Sequence, residues 1–519
     1  MVRNEGSPAG AEGAGGLTGQ TKVGEEGARG FAEGEHPRVA VVDSWTDATP
    51  CNLYLRRLAD KVKDGVRVAG GTPVAIGSSI VCEPGPASSL IGRDVGADAV
   101  ELAVRAAGCA GVVAVAGCGN ALPAMAIALA RLDLPGLILY GGSPEDAARL
   151  GVPACGEEAT VTVMAIALQL LGLSPLGFGD IAAGDARKDI AAVRCGELAL
   201  KLLARDRRPR QLLTRAAFEN AVLGMAATVG GGGGVVHLLA LAREAGVSLV
   251  LGDIDALAAQ TPVLLDAGPD RFSPVDFDRC GGTRLLARRL MDLKLLRDAA
   301  TVSGASLFEE ARRADEMPGQ VMVRAADQSL ARTGSFAVLR GSLAPDGCVA
   351  AAVPEHPTFA GPARVFDTAE ACLAAIEARQ VRAGDVLVLR YQGPKGGPGL
   401  RQTQAISVAL ARAALESAAA LVTDGRIGPR AAGPTVGQLT PEAFVGGPLA
   451  FVRDGDTISI DLDRRTLDVK EDLTARRFND SWQKPAPRVP MGVQARYAAA
   501  VSSASEGAQA AGSLGLRPR

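Results

Sequence analysis

The chain has 519 residues, 55 of them Lys or Arg and 57 Asp or Glu, which gives a formal net charge of −2. With 47% hydrophobic and 22% charged residues it has the composition of a globular protein of two or three domains. The balanced charge and the 3% of aromatic residues argue against a nucleic-acid partner, and no apolar run reaches the roughly 20 residues that would span a membrane.

The first 36 residues and the cysteine content bear on the cellular compartment of the protein. Residues 1–36 are rich in Gly, Ala and Glu and predict a disordered tail without a secretory signal. The default location is then the cytoplasm, where thiols stay reduced. The nine cysteines are therefore expected to be buried small side chains, metal ligands or nucleophiles, and not disulfide partners.

Apolar strands alternate with helical patterns over residues 37–330. Strands are predicted at residues 38–42, 72–76, 111–116 and 137–140, and a helix at 157–171. Such alternation is typical of βαβ units and predicts an α/β sandwich domain with a mostly parallel sheet.

Residues 331–475 read differently, as a second and β-rich domain. Short strand-like runs follow one another there, and Asp454-Gly455-Asp456 predicts the turn of a hairpin between residues 451–453 and 457–460. Residues 476–519, with their Pro, Ser and Ala, predict a flexible tail.

Three cysteines share a position just after a strand or before a helix: Cys82, Cys118 and Cys155. Ligands of open α/β sheets gather at the carboxyl ends of strands, and a helix N-terminus stabilises a thiolate. One interpretation is that the three thiols meet in one cleft. The other is simple burial, the commonest state of free cysteine.

Two Gly-rich segments are candidate substrate-binding elements. Gly232 and Gly233 lie in a glycine run before a helix, where free N–H groups would bind an anion or the glycines would permit close packing. Lys395, in the Gly/Pro-rich loop 391–399, is either a carboxylate-binding residue or a solvated side chain.

Blocks of sequence in a constant order resemble the dihydroxy-acid dehydratase and phosphogluconate dehydratase family over roughly residues 38–475. They include Gly70-Gly71-Thr72-Pro73, Val81-Cys82, Ala217-Phe218-Glu219-Asn220-Ala221, His237-Leu238-Leu239-Ala240, residues 361–367 and 391–399, Thr423-Asp424-Gly425-Arg426, Pro441-Glu442-Ala443 and Gly446-Gly447-Pro448.

The resemblance implies an α/β N-terminal domain, a β-barrel-like C-terminal domain, a homodimer and an active site between the domains. It also implies removal of water from 2,3-dihydroxy carboxylic acids or sugar acids to give 2-keto acids. The cofactors it implies are an iron–sulfur cluster, for which two irons and two sulfurs are favoured, and a nearby magnesium ion. Cys82, Cys118 and Cys155 match the cluster cysteines of the family.

The other site positions depart from the family pattern. An Asp and a carbamylated Lys after the second cysteine, a Glu in the helix after the first, a Glu after the Gly/Pro loop and the catalytic Ser are replaced by Gly119, Asn120, Asp94, Gln402 and Gly428. Because magnesium needs oxygen ligands, usually carboxylates, family-type binding is not expected. Asp94 remains a candidate magnesium ligand, and Glu83 and Asp94 are candidate catalytic carboxylates.

Three functional hypotheses follow. The chain is a hydro-lyase with an altered substrate or mechanism, or a non-catalytic paralogue that binds a cluster, a ligand or a partner subunit. In the third hypothesis no cluster binds and all nine cysteines belong to the core.

Overall fold

A computed structural model describes residues 36–47, 49–78, 89–143, 158–265, 274–352, 357–396, 399–401, 403–428, 433–479, 482–487 and 491–510. The predicted disordered tail lies outside these residues except for His36. So do Cys82, Glu83, Cys155 and Gln402.

Four parallel strands form the sheet of the N-terminal half. They are β1 (Arg38–Asp43), β2 (Thr72–Gly77), β3 (Gly111–Ala116) and β4 (Gly136–Tyr140), in the order β2-β1-β3-β4. Every residue of β3 is buried, as expected for a central parallel strand covered on both faces, whose sequence is a continuous apolar run. Because all four strands end at the same edge, the residues that follow them meet there. We call this edge the carboxyl edge.

Helices make up most of the rest of this half. They are α1 (Leu55–Val68), α2 (Ile91–Ala107), α3 (Ala121–Leu132), α4 (Glu158–Leu170), α5 (Ala186–Ala204), α6 (Pro209–Leu212), α7 (Arg215–Ala226), α8 (Val235–Ala245), α9 (Leu251–Ala259), α10 (Pro274–Cys280), α11 (Gly282–Asp292) and α12 (Leu307–Arg312). The apolar face of α1, with Leu55, Leu58, Val62 and Val66 at helical spacing, is buried. No helix in the part of the chain that the structure describes is long and apolar enough to cross a membrane.

The C-terminal half is built on an eight-stranded sheet in the order β12-β11-β7-β8-β9-β10-β6-β5. Its strands are β5 (Phe336–Leu339), β6 (Gly347–Ala351), β7 (Thr358–Phe366), β8 (Val386–Leu389), β9 (Ala420–Thr423), β10 (Thr435–Thr440), β11 (Thr457–Asp461) and β12 (Thr466–Val469). Arg340, directly after β5, pairs with the start of β12: the Leu467 N–H donates to the Arg340 carbonyl at 2.9 Å. The sheet thereby nearly closes into a barrel. The predicted combination of a parallel α/β sheet and a barrel-like second sheet is confirmed.

Two helices cover one face of this sheet. They are α13 (Ala369–Glu377) and α14 (Gln404–Arg412), which pack on the Leu387, Leu389 and Leu421 side. The side chains of Val386, Val388 and Val422 alternate to the opposite face and form the barrel core.

The predicted hairpin around Gly455 is wrong. Phe451 ends a 3₁₀ turn (Pro448–Phe451), and β11 pairs antiparallel with β7 and β12. A turn does form between Arg453 and Asp456, where the Asp456 N–H donates to the Arg453 carbonyl at 3.1 Å and the Asp456 carboxylate accepts the Arg453 N–H at 2.8 Å, but the residues directly before it, 451–453, form no strand. The domain boundaries 37–330 and 331–475 stay predictions.

Ordered structure also occurs where the composition predicted a flexible tail. The helices α15 (Leu473–Asn479) and α16 (Gly492–Ala500) lie there. Residues 497–510, which we call the C-terminal segment, bury Tyr497, Val501, Ala504 and Ala508 against Leu90 and Val236 of the N-terminal half. One tyrosine, one valine and two alanines, dispersed among other residues, make this contact, so the composition does not predict it.

Candidate active site

Cys118 lies at the carboxyl edge, in the turn between β3 and α3. It is fully buried, and its Sγ accepts the N–H of Ala121, the first residue of α3, at 3.4 Å. A Cβ on the preceding Gly117 would overlap the Cys51 carbonyl and lie 2.8 Å from Asn52 Oδ1.

Several buried polar atoms near this turn have no hydrogen-bond partner among the described residues. They follow β1, β2 and β3 or precede α2: the hydroxyl oxygens of Ser44, Thr49, Ser78 and Ser89, both amide atoms of Asn52, and Oδ1 of Asn120. Proteins satisfy more than 90% of their buried polar groups. The concentration of such atoms at the carboxyl edge therefore indicates that their partners come from outside the described residues, either from the rest of the chain or from a ligand, a cofactor or water.

Of the three predicted cluster cysteines, only Cys118 lies within the described residues. The meeting of its thiol with Cys82 and Cys155 stays a prediction, as does any role of Glu83. Cys118 itself fits an iron–sulfur cluster, because its sulfur is buried at a helix N-terminus among unpartnered polar atoms.

The remaining cysteines are buried: Cys51, Cys109, Cys195, Cys280, Cys348 and Cys372. Burial raises the pKa of the Cys195 and Cys372 thiols to about 12. It also raises the pKa of Cys348. Thiols that stay protonated are poor metal ligands, and these three serve the core.

Asp94 is buried on α2 with both carboxylate oxygens engaged. Oδ1 accepts from Arg93 Nε at 2.8 Å, and Oδ2 accepts from the Ala510 N–H at 2.6 Å. Gly119 offers no side-chain ligand, and the Asn120 amide donates to the Ser89 carbonyl at 2.7 Å. Among the described residues no group of three or more His, Cys, Asp or Glu side chains could hold a metal ion. Asp94, Gly119 and Asn120 therefore do not by themselves fit a magnesium ion, which needs several oxygen ligands in octahedral geometry.

The candidate substrate-binding residues lie farther along the chain. Gly231–Gly234 forms a buried 3₁₀ turn before α8, and a Cβ on Gly232 would lie 2.7 Å from Ile427 Cδ1. Close packing therefore accounts for that glycine, while anion binding by Gly232 and Gly233 stays a prediction. Lys395 is half-buried, and its charge acts to lower the pKa of Glu442.

His237 and Arg426 form a buried pair that sequence reasoning did not assign to the site. Arg426 Nη1 lies 3.2 Å from His237 Nε2. Because arginine only donates, Nε2 accepts and the imidazole proton is on Nδ1. Burial, Arg426 and Arg93 hold the pKa of His237 well below its usual value, so the ring is neutral.

Two carboxylates follow neighbouring barrel strands, Asp424 after β9 and Glu442 after β10. Asp424 accepts the N–H groups of Gln392 at 2.8 Å and Ala443 at 3.1 Å. Burial nevertheless raises its pKa to about 6, and burial also raises the pKa of Glu442. The sequence could have indicated both carboxylates as site residues, since each lies one or two positions beyond the end of a strand.

Comparison with known proteins identifies the family. The model of the dihydroxy-acid/6-phosphogluconate dehydratase N-terminal domain matches residues 36–150 and 143–310, and that of the C-terminal domain matches residues 321–508.

Similar proteins include a dihydroxy-acid dehydratase of Roseiflexus sp. (strain RS-1), 41% identical over 91% of this chain and 92% of the relative. Those of Koribacter versatilis and Thermus thermophilus are 40% and 38% identical, over 91% of this chain and 90% and 93% of the relatives. The chain belongs to the dihydroxy-acid/6-phosphogluconate dehydratase family.

Proposed function

We propose that the chain is a hydro-lyase that removes water from a 2,3-dihydroxy carboxylic acid or a sugar acid to give a 2-keto acid. The observation that carries this proposal is the buried thiol of Cys118 at the carboxyl edge, among polar atoms that lack partners. The relatives named dihydroxy-acid dehydratase support the reaction class. The departures at positions 119, 120 and 428 favour a substrate or mechanism that differs from theirs.

In this proposal Cys82, Cys118 and Cys155 hold an iron–sulfur cluster, for which two irons and two sulfurs are favoured. When bound, the cluster supplies an iron with an open coordination position as a Lewis acid for the departing hydroxyl group. Asn52 and Asn120 supply amide groups to the hydroxyl groups of the substrate, because their unpartnered atoms already lie at the carboxyl edge.

The proton at the carbon next to the carboxylate requires a base. Asp94 is bound by the Arg93 guanidinium, and protonation would cost that ion pair. Glu83 is therefore the better of the two candidate carboxylates, and Lys395 and the glycines Gly232 and Gly233 are candidates for holding the substrate carboxylate.

The test is anaerobic purification with iron and sulfide counting, followed by assay of 2-keto acid formation. The substrates are 2,3-dihydroxy-3-methylbutanoate and a panel of aldonic acids. We expect a coloured protein that contains iron and sulfide and releases a 2-keto acid from at least one of them. A colourless, iron-free protein after anaerobic reconstitution would contradict the proposal.

A second candidate, a non-catalytic paralogue that binds a cluster, a ligand or a partner subunit, is favoured by one observation. No side chain is present at position 428, where the family resemblance implies the catalytic serine. A full cluster without 2-keto acid from any substrate would support this candidate. A homodimer in the cytoplasm is part of both proposals, and light scattering on the purified protein tests the dimer.

A further inference from the structure

Both oxygens of the Asp94 carboxylate accept hydrogen bonds from groups of this chain. Its two oxygens accept from Arg93 Nε and the Ala510 N–H, and the residue is 5% exposed. The contact with Arg93 is an ion pair of a guanidinium with a carboxylate at 2.8 Å, and such charge-assisted bonds are stronger than bonds between neutral groups.

Arg93 is itself held from two sides. Its side chain is fully buried, and Nη2 donates to the carbonyls of Gly507 at 3.0 Å and Ala508 at 2.7 Å. A buried charge persists only when it is paired and hydrogen-bonded. The guanidinium therefore stays beside Asp94, where it would repel a divalent cation.

The C-terminal segment that provides these carbonyls is anchored at further points. The Tyr497 hydroxyl donates to the Ala508 carbonyl at 2.7 Å. Glu442 accepts from the Ser503 hydroxyl at 2.8 Å and the Ala504 N–H at 2.9 Å. A Cβ on Gly507 would lie 2.5 Å from the Ala240 backbone nitrogen of α8, so the segment packs directly on that helix.

We propose that the Arg93 guanidinium and the Ala510 N–H take the place of a divalent cation at Asp94, so that the C-terminal segment completes a cation-independent site. This proposal rests on the proposed function, because only that function makes the surroundings of Asp94 part of an active site. The test measures cation binding and the hydrogen exchange of backbone N–H groups, and neither measurement depends on 2-keto acid formation. A failure of this proposal can therefore be told apart from a failure of the proposed function.

The first measurement is cation binding to anaerobically reconstituted protein. Mn²⁺ binding is followed by electron paramagnetic resonance and Mg²⁺ binding by equilibrium dialysis. We expect no stoichiometric binding of either ion with a dissociation constant below about 1 mM, in wild type and in Asp94→Asn alike. One ion per chain that is lost in Asp94→Asn would overturn the proposal.

The second measurement tests the C-terminal segment with a matched pair of variants. Ala510→Pro removes the N–H that donates to Asp94 because proline has none, whereas Ala510→Gly keeps it. We expect Ala510→Pro to increase hydrogen exchange over residues 497–510 and to lower Tm by about 2–4 °C, with a smaller effect for Ala510→Gly.

Equal effects of the two substitutions would overturn the role of the Ala510 N–H. Arg93→Lys is a second variant that tests the contact with the C-terminal segment, because it keeps the charge but not the forked donor geometry of arginine. It should also increase exchange over residues 497–510, and unchanged exchange would contradict the proposal.

Discussion

Gln404, the first residue of α14, occupies the space that a side chain at Gly428 would need. A Cβ on Gly428 would overlap Gln404 Oε1 and lie 3.1 Å from Gln404 Cα. Position 428 is where the family resemblance implies a catalytic serine. The packing around it is therefore adjusted to the missing side chain, and a serine cannot be introduced without moving α14 or the Gln404 side chain.

We expect Gly428→Ser alone to lower the free energy of unfolding by about 1 kcal/mol, the lower end of overpacking costs, because the end of the flexible Gln404 side chain must move. We do not expect it to raise 2-keto acid formation. Gln404→Ala should relieve part of this strain, so the double variant should be more stable than the sum of the two single changes predicts. Urea unfolding of the four proteins measures the coupling. Strict additivity would show that Gln404 does not restrict position 428.

We expect Asn52 to be needed for substrate binding although it lowers the stability of the folded protein. Both of its amide atoms are buried without a partner in the part of the chain that the structure describes, and an unsatisfied group costs about 1–3 kcal/mol. Asn52→Leu should therefore leave the cluster-free protein as stable as wild type or more stable, while 2-keto acid formation is lost.

Asn220 is the matched control for Asn52. It is also fully buried, but Nδ2 donates to the Arg297 carbonyl and Oδ1 accepts the Arg297 N–H, both at 2.8 Å. Asn220→Leu should lower stability, because the backbone of Arg297 loses both partners. If Asn52→Leu lowered stability as much as Asn220→Leu, Asn52 would have a structural role.

Cys118 should be necessary for the cluster, in contrast to a cysteine of the core. Cys118→Ala should reduce iron and sulfide to background after anaerobic reconstitution, whereas Cys372→Ala should retain both. Cys372 is the suitable control because burial raises the pKa of its thiol to about 12, which keeps it protonated. Equal iron contents in the two variants would exclude Cys118 as a ligand.

Lys188 on α5 should make stability depend on pH. Burial lowers its pKa to about 7 from the ordinary value of 10.5, so between these pH values the unfolded chain binds a proton that the folded chain does not. Stability should rise with pH in this window, by up to about 1.4 kcal/mol per pH unit, and should not change further from this group below pH 7.

The measurement is urea unfolding of wild type and Lys188→Met at pH 7, 8 and 9. The wild type should gain stability relative to the variant as the pH rises, whatever the effect of losing the 2.6 Å bond to the Phe178 carbonyl. Lys201→Met, at an exposed position of the same helix, controls for the loss of one positive charge. A difference between wild type and Lys188→Met that stays constant with pH would contradict the prediction.

The strands of the parallel sheet could be predicted because buried parallel strands are continuous apolar runs, as residues 111–116 are. The partners of β11 could not, because its pairing with β7 joins residues about 100 positions apart and the local turn signal favoured a hairpin. The ordered structure of the C-terminal segment could not be predicted either, because its contacts are distant in sequence: the bond between Asp94 and Ala510 spans 416 positions.

The candidate site could be predicted where a residue type and a strand end coincide, as for Cys118. Nothing local distinguishes Asn52 from a satisfied buried asparagine such as Asn220, because the distinction is the absence of partners in three dimensions. The sequence also does not show that Gln404 lies where a side chain at position 428 would be. The family resemblance indicated that a serine is missing, and packing explains what fills its place.

The bonds of residues 503–510 to Arg93, Asp94 and Glu442 also set an order of events during synthesis. A ribosome makes α2 about 400 residues before Ala510, and domains fold as they emerge. Until those late residues are available, Asp94 lacks the Ala510 N–H, Arg93 lacks its carbonyl partners and Glu442 lacks Ser503. The N-terminal half therefore passes through an interval in which Arg93 and Asp94 lack the partners that bury them in the folded chain.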